Sequence, residues 1–155
     1  MSLPSELEWE KAARGGLIDV VFSWGDTPDP NAASDDDAQI QDTSAVGCFP
    51  ANGFGLYDMI GNVWEWTRSL WGTDFQKPDF VYPYRPDDAQ REALDAGNKV
   101  LRVVRGGSWG FRRDYARCAF RFRYPPGARF DLLGFRVVLR AAPVSSTLDS
   151  DHSEL

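Results

Sequence analysis

The chain has 155 residues, 43% of them hydrophobic and 14% aromatic, and a net charge of −6. One domain with its own core is expected at this length, and 14 Gly and 10 Pro spread along the chain predict many turns and little helix. No run of 18 apolar residues offers a membrane span, and the start Met-Ser-Leu-Pro-Ser-Glu has neither the basic nor the apolar part of a signal peptide, so a cytoplasmic location is the default expectation.

Ser5-Glu-Leu-Glu8 is a capping-box pattern, and good helix formers follow to Arg14, where Gly15-Gly16 stops the helix. Trp9, Ala12 and Ala13 form its apolar stripe. Leu17 to Trp24 reads as a short strand, and Gly25 to Gly47 as a loop whose Asp35-Asp36-Asp37 run is expected to be solvated, with calcium as the alternative. Asn52-Gly53 marks a turn between apolar residues, and Met59 to Thr67 is a compact aromatic segment placed in the core. Leu70 to Asn98 reads as a surface excursion with a helical piece over 87–95. Strands are expected over 100–105 and 134–140, and the polar stretch 144–155 as a disordered tail, leaving one domain over 1–143. Cys48 and Cys118 are too few for a disulfide scaffold; one bridge is allowed, but reduced, buried thiols are the expectation.

Charge is unevenly spread. Residues 101–140 carry ten arginines against two acids, Asp114 and Asp131, while the rest carries seven basic residues against 21 acids. Internal pairing of the arginines with the acidic part is the expectation, and a basic surface for an anionic ligand is the alternative. Lysine is absent from this block, which argues against nucleic acid. Between the two strands, the 24 residues from Gly110 to Leu133 hold six aromatics, Phe111, Tyr115, Phe120, Phe122, Tyr124 and Phe130, and six arginines. They contain no Lys, Glu, Gln, Met or His. Residue types that bind are concentrated there, and those that do acid–base chemistry are scarce. Phe120 and Phe122 alternate with arginine, which predicts Phe120 facing inward and Phe122 outward.

Several chemistries have no support. The one histidine, His152, lies in the tail, so no His-based triad and no zinc cluster can be assembled. No phosphate loop or dinucleotide fingerprint occurs. Asp58-Met-Ile-Gly61-Asn-Val63-Trp-Glu65 offers two carboxylates seven residues apart with glycine between, a pattern that can wrap calcium; pairing of Asp58 and Glu65 with arginines is the competing reading.

The segment Leu3-Pro-Ser-Glu-Leu-Glu-Trp-Glu10 resembles the Leu-Pro-Thr-Glu segment of the formylglycine-generating enzyme (sulfatase-modifying factor) family. Asn52-Gly-Phe-Gly-Leu-Tyr-Asp-Met-Ile-Gly-Asn-Val-Trp-Glu-Trp-Thr67 resembles its central motif, and Arg105-Gly-Gly-Ser-Trp109 and Gly134-Phe-Arg-Val-Val138 its closing motifs. The resemblance covers residues 3–140 and implies an α+β, C-type-lectin-like fold: irregular, with small antiparallel sheets, few helices and much loop. Family members carry a further stretch before Leu-Pro-x-Glu, so the resemblance implies either a minimal version of the domain or one whose N-terminal part comes from a missing segment or a fused partner domain. Oxidase members hold copper through two cysteines after Gly-Gly-Ser; by spacing those positions are Phe111 and Ala116 here, so no copper and no oxidase activity are expected. The resemblance also implies a structural calcium on Asp58, Gly61, Val63 and Glu65, with Asn31 as a weak candidate for a second site.

The closing block also resembles the variable region of retroelement-diversified proteins built on the same fold. There, mutagenised AAC codons become NNC, which cannot encode Lys, Glu, Gln, Met or Trp. Gly110, Phe111, Asp114, Tyr115, Phe122, Tyr124, Gly127, Ala128, Phe130, Asp131 and Leu132 would fill such slots. The expectation is a non-catalytic module binding a protein or glycan through these residues, on a scaffold of Arg105, Arg121, Arg136 and Trp64-Glu65-Trp66. Two alternatives remain: a structural or regulatory module of a signalling protein, and a formylglycine-generating oxidase.

Overall fold

The computed structural model describes residues 1–85 and 88–140. One α-helix, α1 (Glu6–Arg14), stands against a four-stranded sheet, and the remainder is largely turns and loop, with three short 3-10 turns. The helix begins as its sequence dictates. The Ser5 side chain accepts from the Glu8 backbone N–H at 3.1 Å, and the Glu8 carboxylate accepts from the Ser5 N–H at 2.8 Å. It ends at Gly15, whose φ of 57° is the left-handed conformation that glycine adopts without strain.

Strand β1 (Trp64–Gly72) is central. It pairs antiparallel with β2 (Leu101–Arg105) and parallel with β4 (Leu133–Phe135), and β3 (Phe122–Tyr124) pairs antiparallel with β2. The order across the sheet is β3-β2-β1-β4. Seven of the nine β1 residues are buried, on both faces, so the strand lacks the alternation that a half-solvated strand displays. That is why it extends to Gly72 where a surface excursion is expected from Leu70. The excursion itself holds a 3-10 turn, Ala89–Glu92, in place of a longer helical piece.

Other expectations are corrected. Leu17 to Trp24 is not a strand: it holds one bridge, Phe22 to Gly25, closed by a tight turn with backbone bonds of 2.9 and 3.2 Å. Asp35 is buried as the cap of the 3-10 turn Asp36–Ala38, whereas Asp37 is half exposed. Both cysteines are free, but only Cys118 is buried; Cys48 is exposed. The expected tail lies outside the described residues.

One apolar core gathers Trp9 and Ala13 of α1 with Ala33, Met59, Ile60, Ala116 and Cys118. Beside it runs an arginine–carboxylate framework. Arg105, itself fully buried, bonds Glu10 at 2.7 Å and also the Cys118 carbonyl, and it lies over the Trp9 ring. Glu6 meets Arg121, Arg105 and Arg91 at 2.7, 3.5 and 3.6 Å. Internal pairing of the basic block with the acidic remainder is thus realised: Arg105, Arg113, Arg121, Arg136 and Arg140 all reach carboxylates from residues 6–65.

Candidate aromatic binding face

The aromatic residues of the closing block come together on Trp64 at the start of β1. Trp64 is fully buried. Phe122 of β3 stacks on it at 5.3 Å between ring centroids, and Phe111 meets it edge-on at 5.5 Å. From there the rings form a continuous chain. Phe111 contacts Tyr115 at 5.5 Å and Tyr115 contacts Phe120 at 5.1 Å. Phe122 contacts Tyr124 at 5.4 Å and Tyr124 contacts Phe130 at 5.3 Å. Edge-to-face pairs at these separations are favourable geometries and hold the rings in place.

Phe111, Tyr115, Phe120, Phe122 and Tyr124 are half-buried, and Phe130 is 52% exposed. The inward–outward assignment of Phe120 and Phe122 is therefore corrected. Both lean on Trp64, Phe120 at 6.1 Å, because the buried indole lies beneath both rings and each keeps one side open. Leu132 is half-buried, and its carbonyl accepts from the Trp64 backbone N–H at 2.8 Å. Ala128 is half-buried, whereas Gly110, Asp114, Gly127 and Asp131 are exposed. Asp114 pairs with Arg112 at the surface, at 3.3 Å.

Two contributors escape sequence reasoning. Phe75, from the excursion after β1, meets Phe122 edge-on at 6.3 Å. Arg123 lies over Phe75, Phe122 and Trp71 at 4.0, 4.8 and 4.9 Å, and burial pulls its pKa down. Nothing local in the sequence marks Phe75, because its contact is made across the sheet.

Of the two positions that spacing assigned to the copper cysteines of oxidase members, Phe111 is an aromatic of this face and Ala116 is fully buried in the core. Cys118 is also fully buried, and burial pushes its thiol up to about 11, which disfavours the thiolate that a nucleophile or soft-metal ligand needs.

The loop before β1 holds its own cation. The Arg136 guanidinium bonds both Glu65 oxygens, at 2.6 and 2.7 Å, and the carbonyls of Tyr57 and Asp58 at 3.2 and 3.1 Å. Glu65 accepts a third bond, 2.6 Å, from the Trp9 indole. The Asp58 carboxylate accepts from the Gly47 N–H at 2.8 Å. Asp58, Gly61, Val63 and Glu65 offer only oxygen donors, as calcium requires. A calcium ion there would nonetheless have to share Glu65 with Arg136. Asn31 sits exposed in a turn, its N–H bonded to Asp29.

One helix, a small mixed sheet and long ordered loops define the C-type-lectin-like architecture. The particular family follows from comparison with known proteins: residues 1–141 match the sulfatase-modifying factor enzyme 1-like domain, and the chain belongs to that family. Among curated relatives, the serine/threonine-protein kinase pkn1 of Chlamydia pneumoniae is 40% identical over 134 residues, covering 86% of this chain and 20% of the kinase. The formylglycine-generating enzyme of Mus musculus is 31% identical, covering 92% of this chain and 40% of the enzyme. The inactive C-alpha-formylglycine-generating enzyme 2 of Bos taurus is 35% identical, covering 86% and 42%. Among solved structures, Treponema denticola variable protein 1 superposes with a TM-score of 0.69 at 35% identity, over 86% of this chain and 45% of that one. The chain thus spans a fifth to two fifths of these curated relatives, and the homologous stretches are parts of larger proteins.

Proposed function

We propose that this domain is a non-catalytic binding module whose aromatic face receives a protein or glycan surface. The observation that carries the reading is the unbroken chain of half-exposed rings from Tyr115 to Phe130, fixed on the buried Trp64. Rings held by their neighbours lose little entropy on binding and bury large area. Gly110, Asp114, Gly127, Asp131 and Leu132 surround them as the adaptable part, and sequence diversification of these slots fits the likeness to a variable protein. The replacement of both copper-cysteine positions by Phe111 and Ala116 argues against the oxidase reading.

The test is a glycan array and a protein display screen with wild-type domain, followed by Phe111→Ser/Tyr115→Ser/Phe122→Ser/Tyr124→Ser and by the milder Phe130→Ser. Binding should vanish in the quadruple variant and weaken in the single one, with circular dichroism confirming the fold of each; retention in both variants sinks the proposal. A reverse transcriptase with a template repeat beside the gene would establish diversification. A regulatory module within a signalling protein is the second reading, favoured by the 40% identity to a segment of a kinase.

A further inference from the structure

Adjoining the aromatic face at Phe120, a cleft of about 480 Å³ lies between the end of α1, the turn at Asp19–Val21 and the turn at Arg117–Arg121. We propose that this cleft is a second ligand site, one that takes a carboxylate carried on an aromatic or branched apolar body.

Three guanidiniums line the cleft, from Arg14, Arg117 and Arg121, against one carboxylate, Asp19. Their states differ. Arg14 bonds Glu10 at 2.8 Å, and Arg121 grips Glu6 with two bonds, 2.7 and 2.9 Å. Those two glutamates are not theirs alone, because Glu10 also serves Arg105, and Glu6 also serves Arg105 and Arg91. Arg117 has no carboxylate within ion-pair distance among the described residues. Its Nε donates to the Asp114 carbonyl at 2.9 Å, and its guanidinium lies over the Phe120 ring at 5.7 Å, which leaves both Nη groups unbonded. Four arginines thus share two glutamates, a fifth is unpaired, and Asp19 offsets one charge. The wall keeps an excess of positive charge, and an anion entering it gains a fixed guanidinium fork.

Val20, Val21, Ala119 and Phe120 make the rest of the lining, so the bound anion must bring an apolar body. The walls are tied to one another before any ligand arrives. The Cys118 N–H donates to the Val21 carbonyl at 2.8 Å, Arg14 donates to the Val20 carbonyl at 3.1 Å, and the Phe120 N–H closes its turn on Arg117 at 2.9 Å. Such a cleft orders little on binding, which favours affinity for a small molecule. Phe120 also belongs to the aromatic face, but Arg14, Asp19 and Arg117 do not, so this site can stand or fall independently of that face.

The test uses the ¹⁵N-labelled domain, titrated with N-acetyl-L-phenylalanine and with its uncharged amide. The acid should shift the backbone signals of Val21 and Arg117–Phe120 with saturation, and the amide should bind at least about tenfold more weakly. Arg117→Gln should weaken the acid to the level of the amide, while Arg112→Gln, an exposed arginine off the cleft, should leave it unchanged. A pentapeptide ending in a free phenylalanine carboxylate separates the sources: tighter binding than the acetylated amino acid assigns the site to a chain terminus, and weaker binding assigns it to a free small acid. Equal binding of acid and amide, no shift at these residues, or an unaffected Arg117→Gln would overturn the proposal.

Discussion

Glu6 is fully buried and faces the guanidiniums of Arg91, Arg105 and Arg121, so its charge ties the helix to the segment after β1, to strand β2 and to the turn before β3. Two of those arginines, Arg91 and Arg105, are themselves almost wholly buried. Removing the carboxylate leaves cations in a poorly solvated place, the expensive way to break a buried pair. Glu6→Gln is therefore expected to cost roughly 3–5 kcal/mol of stability, read as a fall in the urea midpoint with an unchanged slope. A loss below about 1 kcal/mol would place the pair in the surface class instead. The sequence offered a signal for Glu6, since it stands three residues before Trp9 and seven before Ala13 and shares their face of the helix. A charged residue on an apolar stripe is easily read as the solvated edge of that stripe.

Among the elements, those governed by local rules were legible and those governed by tertiary contact were not. The capping box, the glycine stop of α1 and β2 follow from nearest neighbours, and each stands within a residue or so of its expected place. Strand β1 hides its period because both faces are covered, and the three-residue strand β3 exists only because β2 presents an edge to it. The aromatic face shows the same division. Its members inside the closing block were legible as a cluster of binding residue types, whereas Phe75 and the stacked Arg123 come from folding across the sheet. The loop before β1 is the sharpest case: the sequence leaves open calcium or pairing with an arginine, and the fold places Arg136, 71 residues beyond Glu65, on the Glu65 carboxylate. That geometry makes a prediction at the scale of the loop. With a guanidinium already on Glu65, calcium should bind this loop only weakly, with a dissociation constant in the millimolar range. Arg136→Gln leaves the Glu65 carboxylate without its cation and should tighten calcium by at least about tenfold, measured by titration calorimetry. Tight calcium binding by the wild type, or no change in the variant, would show that Arg136 does not compete.

Across the described residues, carboxylates of the first 65 clamp five arginines of the last 40, Arg105, Arg113, Arg121, Arg136 and Arg140, so early and late segments are joined by charge as well as by the bridge from Ser2 to Val138. This arrangement makes the fold sensitive to acid in a defined direction. Burial works against ionisation of Glu8, but the Ser5 N–H and the Arg140 and Arg68 side chains outweigh it and hold the carboxyl at about 2, below its ordinary 4.5. Glu10 is likewise held low: burial opposes its charge, and Arg105 and Arg14 overcome that opposition. A carboxyl whose folded pKa is depressed binds protons more readily in the unfolded chain, so its stabilising share is complete above about 4.5 and fades as pH falls toward about 2. The domain should therefore hold a flat stability from neutral pH down to near 5 and lose it progressively through that window, with helix and sheet signals falling together because the pairs span both. Glu8→Gln should flatten part of the slope below pH 4.5 while lowering stability at pH 7. Urea unfolding followed by circular dichroism at half-unit pH steps tests this, and a wild-type midpoint that stays level down to pH 3 would mean that the arginine framework contributes nothing through ionisation.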